Sequence, residues 1–170
     1  MKLVKVFVVV IAFAFSGKAF AQELKFGHID IQKVVAELPA KIEADKTLQS
    51  EATKLQNQLQ VMQSELEKMY TDYVSQRDSL PDLIRATKEK EMQDKDQRLQ
   101  QYSQMAQQEI QKKEQQLLAP IIEKVQKAIE EVGQEQGLIY IFDISSQVVV
   151  YHSEKSIDCG DLVKAKVNAQ

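Results

Sequence analysis

Glycine is almost missing from the middle of this chain. There are five glycines, and none lies between His28 and Val132. That absence excludes a phosphate-cradling glycine loop in the long central stretch, and the five that exist are scattered. Tryptophan is absent, and Cys159 is the only cysteine, so no intrachain disulfide can form. His28 and His152 are the only histidines, and neither has a cysteine or carboxylate at metal-ligand spacing. Each reads as a structural or surface histidine in or beside a strand. Asp30 and Asp143 follow apolar runs, where a carboxylate more often caps the next helix or turn than does chemistry. Asp30 is placed to cap the segment QKVVAEL. No catalytic residue, no metal ligand and no cofactor site is assigned, and the chain is not read as an enzyme. A hydrolase would need a site that these residues do not form. Work by binding alone is the expectation.

Long hydrophobic runs are also scarce, with one exception at the start. Lys2 and Lys5 precede VFVVVIAFAF (Val6 to Phe15), and Ala19-Phe20-Ala21 follows. A basic start, a short apolar run and an Ala-x-Ala end predict a secretory signal peptide over residues 1–21. The run is well short of the ~20 residues that span a bilayer. No cysteine follows the predicted cut, which excludes a lipid-anchored precursor. The mature chain is expected to begin at Gln22 and to be soluble in an exported compartment. Cleavage removes Lys2, Lys5 and Lys18 and changes the net charge from −3 to −6. A strongly basic surface for nucleic acid is therefore excluded.

The remainder divides by composition. Residues 22–39 and 120–170 form a small body, and residues 40–119 form an arm rich in Gln, Glu, Lys and Leu. Along the first half of the arm, Leu48, Ala52, Leu55, Leu59, Met62, Leu66, Met69 and Tyr73 are spaced alternately by four and three. This is the seam of a left-handed coiled coil. The second half is weaker: Met92, Leu99 and Ala106 keep a seven-residue beat, but Lys95, Glu109 and Lys113 fall near the same line. Between the halves stands Pro81, in Ser79-Leu80-Pro81-Asp82. Proline is tolerated in a first helical turn and damaging inside one. The spacing predicts a hairpin of two antiparallel helices with its tip near 78–82, started by Ser79 as a capping residue. Pro39 and Pro120 lie at nearly equal distances on either side, which gives each arm a length of ~60 Å.

In the body, LKFGHIDI reads as a strand and LIYIFDISSQVVVY (residues 138–151) as a β-hairpin about Ser145-Ser146. Pro120 is expected to kink the returning helix, which ends at Gly133 or Gly137. A final short helix is expected to start at Asp158 or Asp161. Three strands leave open edges, which favours sharing them among identical subunits. The residues assigned to that oligomeric body are Phe26, Ile29, Ile31, Leu138, Tyr140, Phe142, Val148, Val149, Val150 and Tyr151. On the arm, Met62, Met69, Tyr70, Tyr73, Val74, Leu80, Leu83, Ile84, Met92, Tyr102 and Met105 exceed what one two-helix seam buries. They are the candidate partner-binding residues, and methionine adapts to varied surfaces. The arm's charges are nearly balanced, with 12 basic and 14 acidic residues over 41–119.

The pieces FGHIDIQKVVAELP, LLAPIIEKVQKAIEEVGQEQGLIYIFD and VVVYHSEKSIDCGDLV, in this order around a long polar hairpin, resemble the Skp (OmpH-type) periplasmic chaperones. The resemblance covers residues 24–165. It implies a mainly α protein with a small β-body, a jellyfish-like homotrimer whose helical arms project from the shared body. It also implies an ATP-independent holdase in the periplasm, binding unfolded outer-membrane β-barrel proteins between its arms. Such family members are often basic, whereas this chain is acidic overall and nearly neutral along its arms. No residues are therefore assigned to lipopolysaccharide or membrane-surface contact. A periplasmic coiled-coil adaptor or structural envelope protein is the alternative, although the residues before Pro39 leave little room for half of an adaptor's β-domain.

Overall fold

The computed structural model describes residues 24–169; the expected signal peptide, residues 1–21, lies outside them. The order is β1 (Phe26–Ile29), α1 (Ile31–Glu37), α2 (Pro39–Gln76), a 3-10 turn (Arg77–Ser79), α3 (Asp82–Gln136), β2 (Tyr140–Asp143), β3 (Ile157–Asp158) and α4 (Gly160–Asn168). No helix among the described residues is long and apolar enough to cross a membrane.

The hairpin is formed as the prolines suggest. Pro39 occupies the first turn of α2, and Pro81 precedes α3. Lys95 Nζ reaches Glu65 across the pair at 2.7 Å, and Tyr73 Oη donates to Glu89. Both pairs place the fold-back close to Pro81. At 1.5 Å per residue the 38 residues of α2 extend roughly 57 Å. The helix start at the tip differs from expectation. Ser79 Oγ donates back to the Gln76 carbonyl at 2.8 Å instead of capping α3. Leu80 is extended, and no side chain caps the first turn of α3. Arg85 secures the turn instead, donating to the Leu80 carbonyl at 3.3 Å and pairing with Asp82. Ser79 is held inside the preceding 3-10 turn with its side chain turned back toward Gln76, and the extended Leu80 and Pro81 separate it from the first residue of α3.

Helix α3 runs through Pro120 and ends at Gly137. Gly137 takes a left-handed conformation (φ 62°), and Leu138 N–H bonds to Gly133 O at 2.9 Å, closing the helix in a Schellman-type turn. Asp30 caps α1 as expected, its Oδ1 accepting from Lys33 N–H at 2.9 Å. At α4 the cap position belongs to Cys159, which makes no side-chain cap bond, and Asp158 Oδ1 accepts from Gly160 N–H at 2.9 Å.

The sheet corrects the β-hairpin expected over 138–151. Strand β1 is central, in the order β2-β1-β3, and both neighbours run parallel to it. Residues after Asp143 turn away, and Val148 to Tyr151 have no regular structure. Asp143 causes the departure. Its carboxylate accepts from Ser145 N–H at 2.9 Å, from Ser145 Oγ–H at 2.8 Å and from Ile31 N–H at 3.4 Å. The turn is therefore a carboxylate-centred one tied to α1, and the third strand comes later, at Ile157–Asp158. Parallel strands need long crossovers. Here the whole helical hairpin is the crossover between β1 and β2.

Ile29, Val34, Leu38, Val125, Ala128, Val132, Cys159 and Val163 form the core. On α3, Ile121, Val125, Ala128 and Val132 are spaced by four and three, so one face buries them all. Each large apolar side chain fully buried here contributes about 1.5–3 kcal/mol. Strand alternation places Gly27 and Ile29 on this core side, and Phe26 and His28 on the other.

Asp143 makes one testable point about this joint. Burial raises its carboxyl pKa, but the hydrogen bonds from Ser145 and Ile31 outweigh that effect and hold it below the ordinary carboxylate value. Its folded pKa is thus lower than its unfolded one. The stability it contributes is present above the ordinary carboxylate range and lost as pH falls through the lowered value. Asp143→Asn is expected to cost about 1–2 kcal/mol at pH 7, typical of a hydrogen-bonded charge. Urea unfolding followed by circular dichroism should show that difference shrinking toward pH 3. A difference that is constant with pH would contradict the charge-based account.

Candidate binding surface of the helical arm

The seam of α2 faces α3 along its length. Leu48, Ala52, Leu55, Leu59, Met62, Leu66 and Met69 are half-buried, and Tyr73 is buried (6% exposed). Opposite them Met92, Leu99, Tyr102, Ile110 and Leu117 are half-buried, and Ala106 is buried. Two helices cannot cover a seam completely. The uncovered parts form two open grooves. The distal groove has a volume of about 630 Å³ and is lined by Gln63, Leu66, Glu67, Tyr70, Tyr73, Glu89, Met92, Gln93, Asp96 and Leu99. The proximal one, about 370 Å³, lies between Ala52, Leu55 and Leu59 on α2 and Ser103, Ala106 and Ile110 on α3.

Polar bonds across the hairpin set the spacing of the helices. The hydrogen bond to Glu89, then burial, raise the Tyr73 phenol above its ordinary pKa. Tyr73 thus stays a neutral donor that pins the two helices near the tip. Farther down, the hydrogen bond and charge of Lys95 hold the Glu65 carboxyl below its ordinary value. Such an exposed pair aligns the helices more than it stabilises them.

The candidate partner-binding residues fall into two sets. Tyr70, Val74, Leu83 (78% exposed), Ile84 and Met105 are exposed. Met62, Met69, Leu80, Met92 and Tyr102 are half-buried, and Tyr73 is occupied with Glu89. The groove brings together Tyr70, Tyr73 and Met92 with residues not singled out from the sequence, among them Gln63, Glu67, Glu89, Gln93 and Asp96. Their signal was the register of the hairpin. Gln63, Glu67 and Tyr70 flank the α2 seam at helical spacing, and the fold-back at Pro81 sets Glu89, Gln93 and Asp96 opposite.

The second apolar surface is the outer face of the sheet. Phe26 and Tyr140 stack with centroids 6.4 Å apart, Phe26 and Phe142 are also 6.4 Å apart, and Tyr140 and Phe142 are 5.8 Å apart. Tyr140 is 61% exposed, and Val148, Val150 and Tyr151 are more so. Val149, Ile31 and Leu138 are half-buried, the last two against the core, and Ile29 lies inside it. His28 is covered on this face by His152, with ring centroids 4.0 Å apart, and its Nδ1 is 2.9 Å from Ser156 Oγ. Cys159 is buried, and burial together with the Asp158 carboxylate raises its thiol pKa, which disfavours a nucleophilic thiolate. Among the described residues no cluster of three His, Cys, Asp or Glu side chains is placed to hold a metal ion.

The family model described as outer membrane protein (OmpH-like) matches residues 25–167. No curated protein matches the chain. The crystal structure of a Caulobacter crescentus protein, described as OmpH-like and as a candidate outer membrane chaperone, superposes with a TM-score of 0.77. The identity is 17%, with 90% of this chain and 89% of that one covered, so this likeness is one of fold.

Proposed function

Since the chain belongs to the OmpH-like outer membrane protein family, we propose that it is an ATP-independent holdase of the periplasm. In this reading it binds unfolded outer-membrane β-barrel proteins between helical arms and prevents their aggregation. The signal-like residues 1–21 support export, with cleavage near Ala21. The observation that carries the reading is the arm itself: exposed Tyr70, Val74, Leu83, Ile84 and Met105, together with the open apolar grooves. A hairpin that served only as a spacer would have no use for this uncovered apolar surface. Many weak contacts of this kind hold a client tightly when enclosure raises the local concentration of its segments.

A photo-crosslinking residue at Leu83 tests the reading in cells. Outer-membrane barrel precursors among the captured proteins would support a holdase. A single fixed envelope complex would instead support the adaptor alternative.

The body is proposed to hold three copies together. Three lines support this: the aromatic outer face of the sheet, the open edges of β2 and β3, and the resemblance to a trimeric family. Large uncovered apolar patches mark association sites. The wild-type mature chain is expected to sediment as a trimer, and Tyr140→Glu to shift it to monomer by placing a charge in an apolar contact. Circular dichroism should show the variant's helices retained. A monomeric or dimeric wild-type chain would overturn the assembly.

A further inference from the structure

We propose that the distal groove of the arm selects apolar client segments that carry basic side chains, a preference that rests on the holdase reading. The floor of the groove is apolar, formed by Leu66, Tyr70, Met92 and Leu99, whereas its ionised lining groups are all acidic: Glu67, Glu89 and Asp96. Glu67 lies on α2 and Asp96 on α3. The neighbouring Glu65–Lys95 pair sets them nearly level across the groove.

These carboxylates are not neutralised from within. Among the described residues no lysine or arginine forms an ion pair with Glu67, Glu89 or Asp96. Lys95, next to Asp96 in sequence, is engaged by Glu65. Arg77 stands beside the Tyr73 hydroxyl, outside the lining. Asp96 Oδ2 accepts from Gln100 Nε2 at 2.8 Å and Glu89 from Tyr73, bonds that orient the carboxylates without removing their charge.

The balanced charge of the whole arm conceals this. Its 12 bases and 14 acids nearly cancel in number, but on this side of the hairpin the acids face the groove. An apolar segment with Lys or Arg beside its apolar side chains would bury its apolar part on the floor and set its cations against the rim. An apolar segment flanked by acids would meet like charge. Exposed pairs are individually weak, so several together are expected to produce about a tenfold preference.

The experiment uses the mature full chain and three fluorescent peptides that share one apolar core, flanked by Lys, Gln or Glu. Anisotropy at low salt should give the affinity order Lys, Gln, Glu, with about tenfold between the first and last. The double change Glu67→Gln with Asp96→Asn should narrow that ratio markedly, by weakening the Lys peptide and strengthening the Glu peptide, with Glu89 alone sustaining what remains. Glu89 is left in place because it holds Tyr73. Equal binding of the three peptides, no binding of any, or a ratio that the double change leaves as large as in wild type would each overturn the proposal. Suppression of aggregation of a diluted, urea-unfolded barrel is measured on the same samples. Holding of the barrel without a peptide preference would sink the groove's selectivity alone. Failure to hold the barrel would sink the holdase reading itself.

Discussion

Gly27→Ala is expected to destabilise the body by about 1–3 kcal/mol, and Gly27→Val by more, as overpacking of a filled core does. Gly27 sits in the middle of the central strand. A Cβ there would lie 2.8 Å from Cys159 Sγ and 2.8 Å from Leu138 Cδ1, and 3.3 Å from the Ile157 carbonyl oxygen. The half-buried Leu138 can turn aside. Cys159 is wholly buried, and the Ile157 oxygen belongs to the backbone of the paired strand, so neither can. A loss of this size is a large part of the roughly 5–15 kcal/mol that holds a typical domain. Urea unfolding read by circular dichroism at 222 nm measures it, since the chain has no tryptophan to report on the core. In a Cys159→Ala background the cost of Gly27→Ala should fall, because the atom in the way is gone; a double-mutant cycle isolates that coupling. Gly133→Ala supplies the opposite sign. It lies inside α3, where a Cβ meets only Ile141 Cδ1 at 3.5 Å, and the gain in helix propensity is up to about 1 kcal/mol. A neutral Gly27→Ala would mean that the packing around β1 is looser than described.

Features set by local chemistry were legible in the sequence. Pro81 marked the fold-back, because a proline late in one helix and early in the next has few other places to be. Asp30 was readable as a cap, and the four-three spacing of α2 as a seam. The division at residue 120 was drawn from composition, and the structure shows the face from Ile121 to Val132 beyond it packed in the core. What escaped depends on distant partners. Ser145-Ser146 between two β-branched runs looks like a hairpin turn, but Asp143 claims Ser145 and ties it to Ile31 across 112 residues. No local pattern reports that bond. The third strand is only the pair Ile157–Asp158, too short to register as a periodic run. Ser79 failed as a cap because it belongs to a 3-10 turn that turns its side chain back to Gln76, and α3 starts three residues later, after Pro81. The groove lining was hidden for a different reason. Glu67, Glu89 and Asp96 are ordinary helix-surface acids until the hairpin register brings them to one side, and total charge does not reveal it.

Replacing the five exposed residues Tyr70, Val74, Leu83, Ile84 and Met105 with serine is expected to weaken the holding of an unfolded barrel at least tenfold. All five lie on the arm helices outside the core, so on the holdase reading proposed above their loss would remove client contact and not the support of the fold. Tyr73 is kept, because it is buried and pins α2 to α3 through Glu89. Each apolar side chain that a client covers contributes ~25 cal/mol per Å² removed from water, and every 1.4 kcal/mol is a factor of about ten in affinity. Five such contacts together exceed that factor even when a mobile client uses only some of them at once. Salt separates this effect from charge. Raising it from 0.1 M to 1 M shortens the Debye length from ~10 Å to ~3 Å, which should erase the preference among charged peptides and leave the barrel largely held. Helix content and sedimentation of the fivefold variant must match wild type for the comparison to count. A variant that still holds the barrel at full strength, while 1 M salt releases it from wild type, would show that the arms hold by charge and that their exposed apolar residues are incidental.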